Sequence, residues 1–237
     1  MRFRSFLFLL GYIPIMLCVS LSGSLLGVFL PMKARFWFPK AAFYAIAFCL
    51  QITCNIRWRL EGRENLPREG TFVVAANHQC AWETYALQTL IVPLCTVLKR
   101  ELLWIPIFGW ALAFLRPIAI DRASAIKATK KVLKTGADRL HNGISVLIFP
   151  EGTRAPIGVE REFKRSAAHL AKEAGVPVVP IAHNAGECWQ HQTLLKRSGT
   201  IVISVGEPIA TEGRSIEEIH ALYTSWIKAE MKNLASG

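Results

Sequence analysis

Two short stretches carry residue types able to do chemistry together. The first, Asn77-His78-Gln79-Cys80-Ala81-Trp82-Glu83, follows the apolar run Thr-Phe-Val-Val-Ala-Ala. On one continuous helix, His78 and Glu83 would sit about 140° apart and out of reach. With His78 in a loop after a strand and Glu83 in the first turn of the next helix, the ring folds back onto the carboxylate. The carboxylate then fixes the tautomer and steadies the imidazolium, leaving the other ring nitrogen as a general base. Alone, such a His-x4-Glu pair is more often structural. Cys80 is an alternative, as a nucleophile, but two residues from His78 it is expected to point away from the ring. The second stretch, Phe149-Pro150-Glu151-Gly152-Thr153-Arg154, ends the run Ile-Ser-Val-Leu-Ile. Arg154 suits a two-pronged grip on phosphate, and Gly152 lets a ligand approach the backbone. A plain Glu151–Arg154 ion pair is the alternative.

The elements that would position these groups alternate. Short apolar runs at 71–76, 95–98, 117–120, 145–149, 176–181 and 200–205 are bounded by polar, Gly or Pro residues and read as strands, several buried on both faces. Helical patterns lie between or after them. The segment 123–141 is expected to turn Ile126, Val132, Leu133, Ala137 and Leu140 inward, and 163–174 follows the fourth strand. The last helix, 215–233, opens on a Ser215/Glu218 capping box and carries Ile216, Ile219, Leu222, Tyr223, Trp226 and Ile227 on one stripe. This predicts an α/β fold, a mostly parallel sheet flanked by helices. Ligands in such sheets bind beyond the carboxyl ends of strands, so both chemical stretches are expected to face one crevice.

The chain has 237 residues, 52% hydrophobic and 19% charged, which excludes a disordered chain. Its net charge of +11 points to anionic partners. Residues 1–60 hold Arg2, Arg4, Lys33, Arg35, Lys40, Arg57 and Arg59 and no Asp or Glu, so the cations bracket the oiliest part of the chain. A membrane is favoured over nucleic acid. Residues 5–32 carry no charge and are long enough to span a bilayer, although Gly11, Pro14 and the serines at 20, 22 and 24 interrupt them; 41–56 is shorter. A cleaved signal peptide, two spans, or a helix pair lying in one leaflet all fit. The pair in one leaflet is preferred, because it brings all seven cations to the same anionic headgroups. The expected division is 1–60 as a membrane anchor and 61–237 as an α/β domain. Cys18, Cys49, Cys54, Cys80, Cys95 and Cys188 include no C-x-x-C pair. They read as buried reduced thiols, which places the globular part on the cytoplasmic face.

Together the two chemical stretches resemble the glycerophospholipid acyltransferase family, specifically the 1-acylglycerol-3-phosphate acyltransferases. That family's blocks are Asn-His-x4-Asp, matched at 77–83 with Glu83 for Asp, and Phe-Pro-Glu-Gly-Thr-Arg, matched at 149–154. Residues 118–122 (Ile-Ala-Ile-Asp-Arg) and 176–181 (Val-Pro-Val-Val-Pro-Ile) resemble two further blocks, and Lys99-Arg100-Glu101-Leu102 and Phe163-Lys164 match family habits. Ser166 stands where a glycine commonly follows. The resemblance implies acyl transfer from a thioester, of coenzyme A or acyl carrier protein, to the sn-2 hydroxyl of lysophosphatidic acid, giving phosphatidic acid, with neither metal nor resident cofactor. It implies His78 as base, Glu83 as its orienting partner, and Arg154, Arg122 and Lys99 on the acceptor phosphate. Glu151 would position the glycerol or Arg154, and Gly152 and Thr153 would shape the turn. A lyso-aminolipid such as lyso-ornithine lipid is the rival acceptor. A non-enzymatic phosphatidic-acid-binding module is the rival outside enzymes.

Overall fold

Residues 1–121, 123–191 and 193–236 are described in a computed structural model of the chain. In chain order the elements are α1 (Arg2–Leu26), α2 (Met32–Arg35), α3 (Trp37–Cys54), β1 (Ile56–Glu61), β2 (Val73–Ala76), α4 (Trp82–Leu90), β3 (Leu94–Lys99), α5 (Phe108–Ala113), β4 (Ile118–Ile120), α6 (Ala125–His141), β5 (Ser145–Ile148), α7 (Ser166–Ala174), β6 (Val178–His183), α8 (Ala185–Cys188), β7 (Gly199–Val205) and α9 (Ile216–Ser236).

Among the described residues the strands form one sheet in the order β1-β7-β6-β2-β5-β3-β4. It is mixed rather than uniformly parallel, because β6 and β7 run antiparallel while the other neighbours are parallel. The link between β6 and β7 contains only the short α8, too little helix for the crossover that a parallel return needs. β2, β5 and β6 are buried at every position, which is why their sequences are apolar without alternation.

The period of two along a strand divides the core into two layers. Val74, Ala76 and Leu147 pack with Phe43, Ile46 and Leu50 of α3 and with Trp82 and Leu87 of α4. Val73, Ala75 and Val146 face the other way, onto Val132 and Leu140 of α6, Leu170 of α7, and Tyr223 and Ile227 of α9. The capping box forms as expected: Glu218 N–H donates to Ser215 Oγ at 3.1 Å, and Ser215 N–H donates back to Glu218 Oε2 at 2.6 Å.

Two expected core residues are outside it. Ile126 is 73% exposed, because six residues before Val132 is about 240° round the helix. Leu222 is exposed for the same reason, one position off the Ile219-Tyr223-Ile227 stripe. Of the cysteines, Cys54, Cys80, Cys95 and Cys188 are buried, but Cys49 is only half-buried and Cys18 is exposed on α1.

β1 was not among the expected strands, and the boundary expected at residue 60 falls inside it. Ile56–Glu61 pairs residue by residue with β7, leaving Arg57 and Arg59 exposed at the sheet edge. The amino-terminal helices also join the core directly. Phe8 of α1 is fully buried, packs edge-on against Trp189 at 5.2 Å, and has the Lys196 ammonium 5.5 Å from its ring centre. Ser5 Oγ accepts the Lys196 N–H at 2.8 Å.

Candidate active site

β2 ends at Ala76, and the chain turns at once so that α4 begins with Trp82. His78 therefore lies in the loop and Glu83 in the first helical turn, where the ring folds back: His78 Nδ1 is 2.7 Å from Glu83 Oε1. Glu83 is fully buried, and the same oxygen accepts the N–H groups of Gln79 at 2.9 Å and Cys80 at 2.8 Å. The Cys80 thiol donates to Oε2 at 2.9 Å. Burial pushes the Glu83 carboxyl up, but the His78 hydrogen bond, the electrostatic influence of the nearby His183 and His78 rings and the Cys80 thiol bond outweigh it and hold the group down at about 2. An ionised Glu83 only accepts, so Nδ1 carries the proton directed at it, and in the neutral ring Nε2 is the nitrogen that bears the lone pair. Cys80 is buried, hydrogen-bonded to a carboxylate and pushed well above the usual thiol range, first by burial. That is the environment of an inert thiol, not of an acyl-enzyme nucleophile.

The second stretch meets the first from the end of β5. Phe149 stacks on the His78 ring at 4.0 Å between centroids, and Ala155 N–H donates to His78 O at 2.8 Å. Glu151 does not pair with Arg154. Its Oε1 accepts the His78 backbone N–H at 3.2 Å, and its Oε2 is buried with no partner among the described residues. Burial, with the Glu83 charge adding to it, raises this carboxyl to about 7. Gly152 has φ +73°, and a Cβ there would sit 3.2 Å from the Lys164 ammonium, so the glycine both makes the turn and admits a cation beside it. Thr153 and Arg154 are exposed. Arg154 acts electrostatically on the Tyr85 phenol of α4, which burial raises and this charge lowers. Lys99 ends β3, with its ammonium 3.6 Å from Glu101 Oε1. Arg122 lies outside the described residues.

A third strand end completes the frame. Asn77 Nδ2 donates to His183 O at 2.9 Å, His183 N–H donates to Asn77 Oδ1 at 3.0 Å, and His183 Nε2 donates to Asn77 O at 2.8 Å. Burial lowers the His183 pKa, so this imidazole stays neutral. Gln79 Oε1 accepts the Gly186 N–H at 2.8 Å. The clasp locks the His78 loop to the end of β6. Neither His183 nor Lys164 was singled out from the sequence as a site residue. The signal for His183 existed, because His183-Asn184 follows an apolar run just as Asn77-His78 does. Among the described residues, no three His, Cys, Asp or Glu side chains are grouped to hold a metal.

The family described as Acyltransferase matches residues 57–184, a stretch that contains His78, Glu83, Glu151, Arg154 and His183. This chain belongs to the acyltransferase family. The acyltransferase is 42% identical over 210 residues to the 1-acyl-sn-glycerol-3-phosphate acyltransferase of Pseudomonas aeruginosa, covering 87% of this chain and 81% of that one. It is 32% identical over 172 residues to the human 1-acyl-sn-glycerol-3-phosphate acyltransferase alpha, covering 71% of this chain and 60% of that one. Among solved structures, the 1-acyl-sn-glycerophosphate (LPA) acyltransferase of Thermotoga maritima matches with a TM-score of 0.82 at 25% identity, over 100% of this chain and 98% of that one. The likeness therefore runs through the two amino-terminal helices.

Beside the acyltransferase cluster lies an open apolar groove, lined by residues of α1, α3, α4 and α5 that include Met16, Val19, Phe38, Tyr85, Phe108 and Leu112. α4 links the two features, with Glu83 in its first turn and Tyr85 facing the groove.

Proposed function

We propose that this acyltransferase moves a fatty acyl group from an acyl thioester, of coenzyme A or acyl carrier protein, to the sn-2 hydroxyl of 1-acylglycerol-3-phosphate, giving phosphatidic acid at a membrane surface. The reading is carried by the 2.7 Å contact of His78 Nδ1 with buried, ionised Glu83, locked to the Glu151–Arg154 turn. His78 Nε2 takes the hydroxyl proton as the oxygen attacks the thioester carbonyl, while Glu83 stabilises the imidazolium that forms. The new C–O bond forms, the C–S bond breaks, and the departing thiolate takes the proton from Nε2. Arg154, with Lys164 beside Gly152, holds the acceptor phosphate. The groove takes the acyl chain, since an apolar wall is the favourable place for methylene groups. Glu151 acts on the His78 loop rather than on Arg154. The printed names of the Pseudomonas and human relatives support the acceptor assignment.

Two helices, Arg2–Phe29 and Met32–Cys54, are long and apolar enough to cross a membrane. α3 buries Phe43, Ile46 and Leu50 against the α/β unit, and α1 buries Phe8. A helix with one face on a water-soluble layer and an oily outer face lies along a bilayer more readily than through it, so the pair is assigned to one leaflet on the cytoplasmic side.

The test is product formation by purified protein from labelled donor, with 1-acylglycerol-3-phosphate and lyso-ornithine lipid offered separately and both donors compared. His78→Ala should lose roughly 10²–10⁴-fold in turnover; turnover near wild type removes the base from the mechanism. Arg154→Ala should raise the acceptor KM more than it lowers kcat, and unchanged values of both would remove the phosphate grip.

A further inference from the structure

The segment between Glu101 and Arg116, Leu-Leu-Trp-Ile-Pro-Ile-Phe-Gly-Trp-Ala-Leu-Ala-Phe-Leu, contains no charged residue. Soluble surfaces rarely keep such a stretch bare, yet Leu102, Trp104, Ile105 and Trp110 are 36%, 66%, 45% and 56% exposed. The turn is apolar on both of its sides. Phe108, Ala111, Leu112, Phe114 and Leu115 line the groove from within, and the two tryptophans face outward. Its backbone groups are largely satisfied internally. Phe108 N–H donates to Pro106 O at 2.7 Å, Gly109 N–H to Ile105 O at 2.7 Å, Ala111 N–H to Ile107 O at 3.0 Å, and Ser24 Oγ of α1 donates to Ile107 O at 2.7 Å. A segment that meets hydrocarbon must satisfy its backbone in this way. The outer face continues without a break of chemistry into the bare side of α1 and the turn after it, where Leu25, Leu26, Val28 and Phe29 are exposed. Cations stand at its base: the Arg100 guanidinium lies 5.5 Å from the Trp104 ring centre, and Arg35 donates to Leu30 O and Phe114 O.

We propose that the 102–110 turn is a third membrane-inserting element, seated in the same leaflet as the helix pair, with Trp104 and Trp110 at the headgroup–tail boundary. Tryptophan favours that boundary, and flanking cations favour the anionic headgroups above it. The inference rests on the acyltransferase reading only in its location. Its content is geometric: three contacts rather than one line of helices fix the tilt of the α/β unit, and they set the groove wall against hydrocarbon so that a lipid chain enters sideways.

The experiment uses the full-length protein bound to vesicles of phosphatidylethanolamine and phosphatidylglycerol carrying bromine on the upper tail carbons. Because Trp37 of α3 is also exposed, at 74%, the measurement is made in a Trp37→Phe background: tryptophan fluorescence there should be quenched, and adding Trp104→Tyr/Trp110→Tyr should remove most of that quenching while vesicle binding persists. Quenching that survives the double substitution overturns the proposal. So does shielding of both tryptophans by a second copy of the chain, read as a cross-linked dimer on the vesicles. In a second arm, Trp104→Glu/Trp110→Glu should cut turnover about tenfold on vesicle-embedded acceptor and leave turnover on a monomeric short-chain acceptor unchanged; an equal loss on both overturns it. Inactivity of the wild type on both acceptors would instead count against the acyltransfer reading, because the fluorescence arm does not depend on turnover.

Discussion

At the scale of single residues, two carboxylates that accept hydrogen bonds from the same histidine loop are driven in opposite directions. Glu83 is surrounded by donors and stays ionised at about 2, whereas Glu151 has one donor and is raised by burial to about 7. In the unfolded chain Glu151 titrates at its ordinary value near 4.5. Its native contribution is therefore intact below that pH and is lost as pH rises through about 7. Glu151→Gln keeps an acceptor for the His78 N–H and cannot ionise. Its stability relative to wild type should climb between pH 4.5 and 8, by up to about 3 kcal/mol. Denaturant unfolding at several pH values checks this, and a flat difference across the window contradicts it. The His78–Glu83 pair was legible because its spacing suits a strand–loop–helix and little else. The contribution of Glu151 was not legible, because sequence places it beside Arg154 while the turn at Gly152 aims it at another strand's loop. His183 carried a local signal, but its clasp with Asn77 joins residues 106 apart, and the pattern does not say which loop the ring would hold.

Among the elements, the strands buried on both faces were readable from short apolar runs, and the last helix from its capping box. β1 was not, although Ile-Arg-Trp-Arg-Leu-Glu alternates as an edge strand should. Its arginines looked like companions of the oily segment, and only pairing with β7, far along the chain, tells the two apart. The contact of α1 with α5 depends on small residues. A Cβ at Gly27 would fall 2.7 Å from Phe114 Cδ2, and one at Gly23 would fall 3.2 Å from the Ala111 Cβ. Gly27→Leu should force these elements apart and cost about 1–3 kcal/mol, seen as a drop of several degrees in the thermal transition in detergent. An unchanged transition would mean that the two elements are free to move apart without penalty.

Taken whole, the molecule does not divide where its composition divides. The greasy first quarter reads as an attachment, yet Phe8, Phe36, Phe43, Ile46 and Leu50 belong to the same core as Val74 and Leu147. Each such side chain contributes roughly 1.5–3 kcal/mol by burial, which together rivals the net stability of an ordinary domain. A version beginning at residue 55 should therefore aggregate and show no cooperative unfolding; a monodisperse, folded and active product would refute this. The bond from Lys196 to Ser5 and the seat of Phe8 on Trp189 carry a practical corollary. A detergent-free form of this enzyme will come from repainting the outer stripe of its first helix with hydrophilic side chains, not from trimming that helix away.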